Sequence, residues 1–199
     1  MTTKPNYIAI QNAHIHYLKV GQPGRLPVLL LHGTSFSAQT WRDLGTLELL
    51  AQNNYQAIAI DLPGFGKSQP AAGEPHNFLS ELLDALQLDP PVLISPSMSG
   101  RFSLPVVVSH PQKLRGFVAV APIDIPRFKT QLKNNPLPAL AIWGSDDHII
   151  PVAHADLLCQ LMPNAEKVIL ADAGHACYMR ATPAFHHHVL RFLEQCYQK

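Results

Sequence analysis

From Val28 onward the chain repeats one pattern: a short uninterrupted apolar run, then a longer stretch whose apolar residues recur at helical spacing. The runs are Val28–Leu31, Ala57–Ile60, Val92–Ile94, Phe117–Val120, Ala139–Ile142 and Val168–Leu170. Uniform runs of this length read as strands buried on both faces, the signature of a parallel sheet. Between them, Leu44, Leu47 and Leu50, or Leu79, Leu82, Leu83 and Leu86, fall on single helical stripes, as do Phe185, Val189, Phe192, Leu193 and Cys196 within 184–197. Alternation of strand and helix predicts an α/β sheet with right-handed crossovers and helices on both faces. Ahead of this pattern, Tyr7–Ile10 and His14–Leu18 flank Gln11-Asn12-Ala13 and predict an antiparallel hairpin. The whole then amounts to a mostly parallel sheet of about eight strands. Prolines sit mostly at run boundaries; Pro105 falls inside a predicted helix, where a kink is expected.

Length and charge narrow the picture. A chain of 199 residues is read as a single domain over 1–199. Its 15 Lys+Arg balance 14 Asp+Glu, and its 15% charged residues fall below the roughly 25% of an average soluble domain. A nucleic-acid partner held by phosphate attraction is therefore not expected. No apolar stretch reaches the roughly 18 residues that span a bilayer, so no membrane association is predicted. Met1 to Asn6 offer no apolar signal core, and the default expectation is the cytoplasm. The cysteines, at 159, 177 and 196, stand at wide spacings without a Cys-x-x-Cys pair and read as reduced thiols. Cys177 is assigned no catalytic role.

The sharpest candidate chemistry is Val92-Leu93-Ile94-Ser95-Pro96-Ser97-Met98-Ser99-Gly100, a strand, a turn of small residues around a central serine, then a helical stretch. That is the layout of a nucleophile elbow, in which the serine hydroxyl is lifted above the sheet on a strained turn. A serine needs a base to take its proton and a carboxylate to orient the base. Both follow later strands: Ala139–Trp143 runs into Gly144-Ser145-Asp146-Asp147-His148, and Val168–Leu170 into Ala171-Asp172-Ala173-Gly174-His175. Reactive residues after successive parallel strands share one edge of the sheet. Ser97, His175 and either Asp147 or Asp146 thus form a candidate triad. Backbone N–H groups of Met98 and of Thr34, in the glycine turn Leu31-His32-Gly33-Thr34-Ser35-Phe36, are the candidate oxyanion donors.

Two other features carry no chemistry. Gly66-Lys67-Ser68 imitates the end of a P-loop, but the position five residues before Gly66 is Asp61, so Asp61–Ser68 reads as a structural turn. His14 and His16, and the run His186-His187-His188, do not assemble three converging ligands at zinc spacing, so neither a metal nor any other cofactor is expected.

Taken together, His32-Gly33, Asp61-x-Pro63-Gly64-x-Gly66-x-Ser68, the Ser97 elbow, Gly144-x-x-Asp147 and Gly174-His175 resemble the α/β-hydrolase superfamily over nearly the whole chain. More narrowly, Ser95–Gly100 with Ser103-Leu104-Pro105, Trp41-x-x-Leu44-Gly45-Thr46-Leu47 and Gly174-His175-x-Cys177-Tyr178 resembles the small lidless hydrolases of the CIB type. The resemblance implies an α/β-hydrolase fold, with Ser97 as nucleophile, Asp147 rather than Asp146 as the acid and His175 as base. It implies a serine hydrolase of short acyl esters, thioesters or amides, with a small-molecule acyl substrate. It also carries the alternative of a deacetylase passing acetyl to coenzyme A or a protein partner. A ligand-binding protein on the same scaffold is the non-catalytic alternative. Many relatives insert a lid where this chain has only the 18 residues 121–138. A short helix around 127–133 and no lid domain are therefore expected, with an open pocket lined by Phe36, Phe102, Ile125 and Tyr178.

Overall fold

The computed structural model describes residues 6–198; the leading segment 1–5, which bears on the expected absence of a signal core, lies outside them. Eight strands, β1 (Asn6–Ile10), β2 (Ala13–Val20), β3 (Leu26–Leu30), β4 (Tyr55–Ile60), β5 (Val92–Pro96), β6 (Gly116–Val120), β7 (Ala139–Gly144) and β8 (Ala165–Leu170), form one sheet in the order β1-β2-β4-β3-β5-β6-β7-β8. The first two are an antiparallel hairpin, β2 pairs antiparallel with β4, and the rest are parallel. Gln11 and Asn12 turn the hairpin with φ of 51° and 59°, the pair of positive angles that a two-residue turn matched to strand twist demands.

The central apolar runs are uniform because each of β3 to β7 feeds two cores. Ile58 and Ile60 point to one face with Leu29, Leu93 and Phe117; Ala57 and Ala59 point to the other with Val28, Ile94 and Val118. The first face is covered by α3 (Pro75–Leu86), α4 (Gly100–Ser109) and α6 (Ala153–Leu161), through Phe78, Leu82, Val106 and Leu158. The second is covered by α1 (Ala38–Asp43), α2 (Thr46–Gln52) and α8 (Thr182–Tyr197), through Trp41, Leu47, Phe185 and Leu193. A side-chain period of two in the strands and of 3.6 in the helices meets at both interfaces.

Some boundaries differ from the sequence reading. β8 begins at Ala165 rather than Val168, because Glu166 and Lys167 sit exposed on an edge strand and break the apolar run. Helix α4 runs unbroken through Pro105, which cannot donate to the carbonyl of Arg101. Between β6 and β7 stand a single 3-10 turn, Ile125–Phe128, and the four-residue α5 (Lys129–Leu132), so no helical lid covers the sheet.

Candidate active site

The strained turn sits where β5 ends. Ser97 has φ of 52°, a left-handed conformation that costs a non-glycine residue about 1–2 kcal/mol. Its surroundings hold it there. The Ser97 carbonyl accepts the Ile123 N–H at 3.0 Å. The Ser99 hydroxyl donates to the Pro96 carbonyl at 2.7 Å, and Ser95 Oγ lies 2.7 Å from Ser103 Oγ and 2.9 Å from Ser99 Oγ. Ser95, Ser99 and Ser103 are fully buried, so these hydroxyls satisfy one another where water cannot reach. Gly100 completes the turn, because a side chain there would collide with the Ile123 carbonyl.

His175, in the loop after β8 and ahead of α7 (Cys177–Arg180), places Nε2 2.8 Å from Ser97 Oγ and Nδ1 2.9 Å from Asp147 Oδ2. The other oxygen of Asp147 accepts the N–H groups of Ile149 and Ile150, each at 2.9 Å. The Asp147 carboxylate is fully buried while the imidazole retains 18% exposure. A buried carboxylate held by two backbone donors on one oxygen presents the other to the imidazole at a fixed place, and so orients the ring that it binds. Asp146 is the exposed neighbour, its carboxylate accepting the Ser145 hydroxyl at 3.0 Å. Backbone contacts settle which aspartate turns inward: Asp146 N–H donates to the Ala173 carbonyl at 2.9 Å, locking the two loops together. Gly144 makes room for that lock, since a side chain there would strike the carbonyls of Ala173 and Gly174.

After β3, His32 organises the glycine turn. The Leu62 N–H donates to its Nε2 at 2.9 Å, so the ring proton lies on Nδ1 and is given to the Gly33 carbonyl at 2.8 Å. Burial pushes the His32 pKa down, against the opposing pull of the Gly33 carbonyl and the Asp61 charge, which keeps the ring neutral. Gly33 thereby packs beside Ser97; a Cβ on it would stand 3.5 Å from Ser97 Cβ. Thr34 lines the cavity above Ser97, and Met98 follows Ser97 in the first turn of the helix, where N–H groups have no intrahelical acceptor.

The cavity holding Ser97 and His175 measures about 260 Å³ and is walled by Phe36, Ile149, Ala176 and Tyr178 along with the 33–35 turn. Tyr178 is wedged 4.9 Å from Trp41 and meets the edge of Phe36 at 6.3 Å, which fixes that wall. Burial raises the Tyr178 hydroxyl and pushes the Cys177 thiol up to about 12, so neither ionises near neutrality. Phe102 and Ile125 do not line this cavity. Phe102 stacks edge-on with Phe78 at 5.6 Å, and Ile125 is fully buried in the same core. Ile149 takes a place in the wall that sequence reasoning did not assign; its only signal was an isoleucine pair, Ile149-Ile150, directly after a loop aspartate and before Pro151. A larger hollow of about 1010 Å³ opens at the opposite end of the strands, among Pro90, Arg115, Pro138 and Glu166, and contains none of these groups.

The Asp61–Ser68 segment is a structural turn. Asp61 gathers the Ala38 N–H at 2.7 Å, the Lys67 N–H at 2.9 Å and His16 Nδ1 at 2.8 Å, while Ser68 Oγ bridges the Asp61 carbonyl and the His16 N–H. Gly66, at φ 54°, lies so close to the Asp61 carboxylate that a side chain would overlap it. In the histidine run, His186 Nε2 lies 2.9 Å from Thr46 Oγ1, and His187 and His188 stack edge to face.

The family model described as the alpha/beta hydrolase fold matches residues 27–134 and 124–182. The human protein named "Putative protein-lysine deacylase ABHD14B" is 43% identical over 178 residues, covering 85% of this chain and 84% of that one. Mouse "Protein ABHD14A" is 40% identical over 193 residues, covering 92% and 77%. Among solved structures, a CIB-like hydrolase from Thermoplasma acidophilum superposes with a TM-score of 0.90 at 24% identity, over 96% of this chain and 98% of its own. Its likeness is one of fold; the kinship rests on the family model and the ABHD14 relatives. The chain therefore belongs to the alpha/beta-hydrolase fold family and, within it, is a hydrolase of the ABHD14 type.

Proposed function

We propose that the protein is a serine hydrolase of small acyl esters, thioesters or amides, working through an acyl-enzyme on Ser97. The observation that carries this reading is the continuous chain from Ser97 Oγ through His175 to Asp147, with contacts of 2.8 and 2.9 Å. His175 Nε2 takes the hydroxyl proton as Ser97 attacks the carbonyl, and Asp147 stabilises the imidazolium that forms. The N–H groups of Met98 and Thr34 receive the oxyanion; loss of one such donor typically costs about 10² to 10³ in rate. His175 then hands its proton to the departing group, and an acceptor attacks the acyl-enzyme with the same histidine as base. A cavity of about 260 Å³ walled by Phe36 and Tyr178 suits a short acyl group. The cytoplasm is the proposed location, where Cys159 and Cys177 would remain thiols.

The name of the human relative favours one extension, in which the acyl donor is an acylated protein lysine; the resemblance drawn from the sequence adds coenzyme A, a thiol, as the alternative acceptor to water. Every catalytic residue is shared between the two, so product analysis with and without added thiol separates them. The test of the reading itself is a fluorophosphonate probe with p-nitrophenyl acetate, butyrate and octanoate. Labelling and turnover should both vanish in Ser97→Ala, with acetate the fastest substrate of the wild type. Turnover retained in Ser97→Ala overturns the assignment; a wild type that neither labels nor turns over would be a binding protein on this scaffold.

A further inference from the structure

Ile149 keeps 68% of its surface exposed, more than any other large apolar residue among those described. Single exposed apolar residues are ordinary on protein surfaces and decide nothing alone. Ile149, however, is part of the wall of the cavity that holds Ser97 and His175, where it offers an occupant an apolar surface. Its backbone is also anchored: its N–H, with that of Ile150, binds Asp147 Oδ1, leaving Oδ2 for His175. The side chain therefore projects from a fixed point on the loop that supports the base.

The route of the proton says which part of a substrate meets it. The departing atom takes its proton from His175 Nε2 and so lies on the imidazole side of Ser97, while the carbonyl oxygen turns toward Thr34 and Met98. Ile149 comes from the loop behind that imidazole. We propose that Ile149 is a specificity-determining residue for the leaving group, favouring alcohols, thiols or amines whose departing atom begins an unbranched methylene stem. Primary alkyl esters and N-acylated primary alkylamines are that class. The inference rests on the serine-hydrolase reading above. Each methylene taken from water is worth roughly fourfold in affinity, so three methylenes half covered by Ile149 give about tenfold.

The experiment holds the acyl group constant and varies the stem: kcat and KM for methyl, ethyl and butyl acetate, with methyl butyrate as the acyl control, in wild type, Ile149→Val and Ile149→Ala. Wild-type kcat/KM should rise by about tenfold from methyl to butyl acetate. In Ile149→Ala that rise flattens, chiefly through KM, with methyl acetate falling by less than about threefold and the ratio of methyl butyrate to methyl acetate preserved. Ile149→Val should fall between. An equal loss of kcat on every ester would mean that Ile149 acts only through Asp147, and a changed acyl ratio would place it on the acyl side; either overturns the proposal. A second arm needs no turnover: binding of N-butylacetamide and N-methylacetamide to Ser97→Ala protein by ligand-observed NMR. A preference for the butyl amide that Ile149→Ala abolishes supports the contact; equal binding, or none, overturns it. If the wild type neither labels at Ser97 nor turns over any ester, the hydrolase reading fails while this arm still decides the role of Ile149.

Discussion

Among the described residues, two histidine–aspartate pairs are alike in their own contact and opposite in what lies beyond it. His16 Nδ1 meets Asp61 Oδ2 at 2.8 Å, and His175 Nδ1 meets Asp147 Oδ2 at 2.9 Å. Each carboxylate is buried and each also accepts two backbone N–H groups, from Ala38 and Lys67 in one case and from Ile149 and Ile150 in the other. The difference is the far nitrogen. His16 Nε2 is buried with no hydrogen-bond partner, whereas His175 Nε2 faces the Ser97 hydroxyl on the wall of a cavity. A histidine–aspartate pair is a means of orienting an imidazole; whether that becomes catalysis or architecture depends on what the second nitrogen can reach. His16–Asp61 ties β2 to the start of α1 and to the 61–68 turn, while His175–Asp147 ties two strand-end loops to the Ser97 hydroxyl.

The largest effect that separates the pairs is expected from Asp147→Asn. The amide can no longer fix the ring in the tautomer that leaves Nε2 free to accept a proton, so kcat should fall by about 10³ to 10⁴. The thermal midpoint should move little, because the substituted amide retains an oxygen for the Ile149 and Ile150 N–H groups. Ester turnover and a melting curve on the same preparation check both halves. Activity lost only in proportion to unfolding would reduce this pair to the structural kind.

Asp61→Asn is the mirror experiment. Replacing a buried carboxylate that accepts the Ala38 and Lys67 N–H groups and faces His16 Nδ1 turns an amide NH2 toward one of those donors, at a cost of about 3 kcal/mol, which for a chain of this size is a drop of about 6 to 12 °C in Tm. Turnover per folded molecule should stay within a few-fold of wild type, since Asp61 touches neither the cavity nor the triad. Denaturation with an active-site titration of the folded fraction measures this. A kcat collapse at unchanged Tm would mean that the first pair reaches the chemistry after all.

The two pairs also differ in how far they were legible beforehand. The order Ser97, Asp147, His175, after β5, β7 and β8, was visible because apolar runs mark strand ends and a parallel sheet aligns those ends. The choice between Asp146 and Asp147 was not readable from the aspartates themselves, for it depends on backbone bonds made by Ala173, Ile149 and Ile150. Phe102 and Ile125 were expected at the pocket and lie in the core instead. The helical spacing of Phe102 and Val106 puts both on the core side of α4, and that spacing was the better guide. Ile149 left no mark beyond its neighbours, since hydropathy alone gives no reason for an exposed isoleucine. The Asp61 motif was read as a turn without its partner, because His16 lies on a different strand 45 residues away.

The smallest effect concerns His32, which holds the Gly33 turn beside Ser97. Burial lowers its pKa from the ordinary 6.5, so the unfolded chain takes up a proton at a pH where the folded one does not. Where the unfolded state binds more protons, stability rises with pH. The contribution is therefore complete above pH 6.5 and is lost as pH falls from 6.5 through the lowered folded value. His186, also pushed down by burial, works in the same direction. Tm should decline between about pH 7.5 and 5.5 in the wild type and decline less steeply in His32→Gln, whose amide oxygen can still accept the Leu62 N–H but cannot titrate. Because His32 bonds both Gly33 and Leu62, its protonation would deprive the Leu62 N–H of its acceptor and loosen the turn that carries Thr34. Equal slopes in the two proteins would show that acid sensitivity arises elsewhere and that this turn keeps its shape without a neutral imidazole.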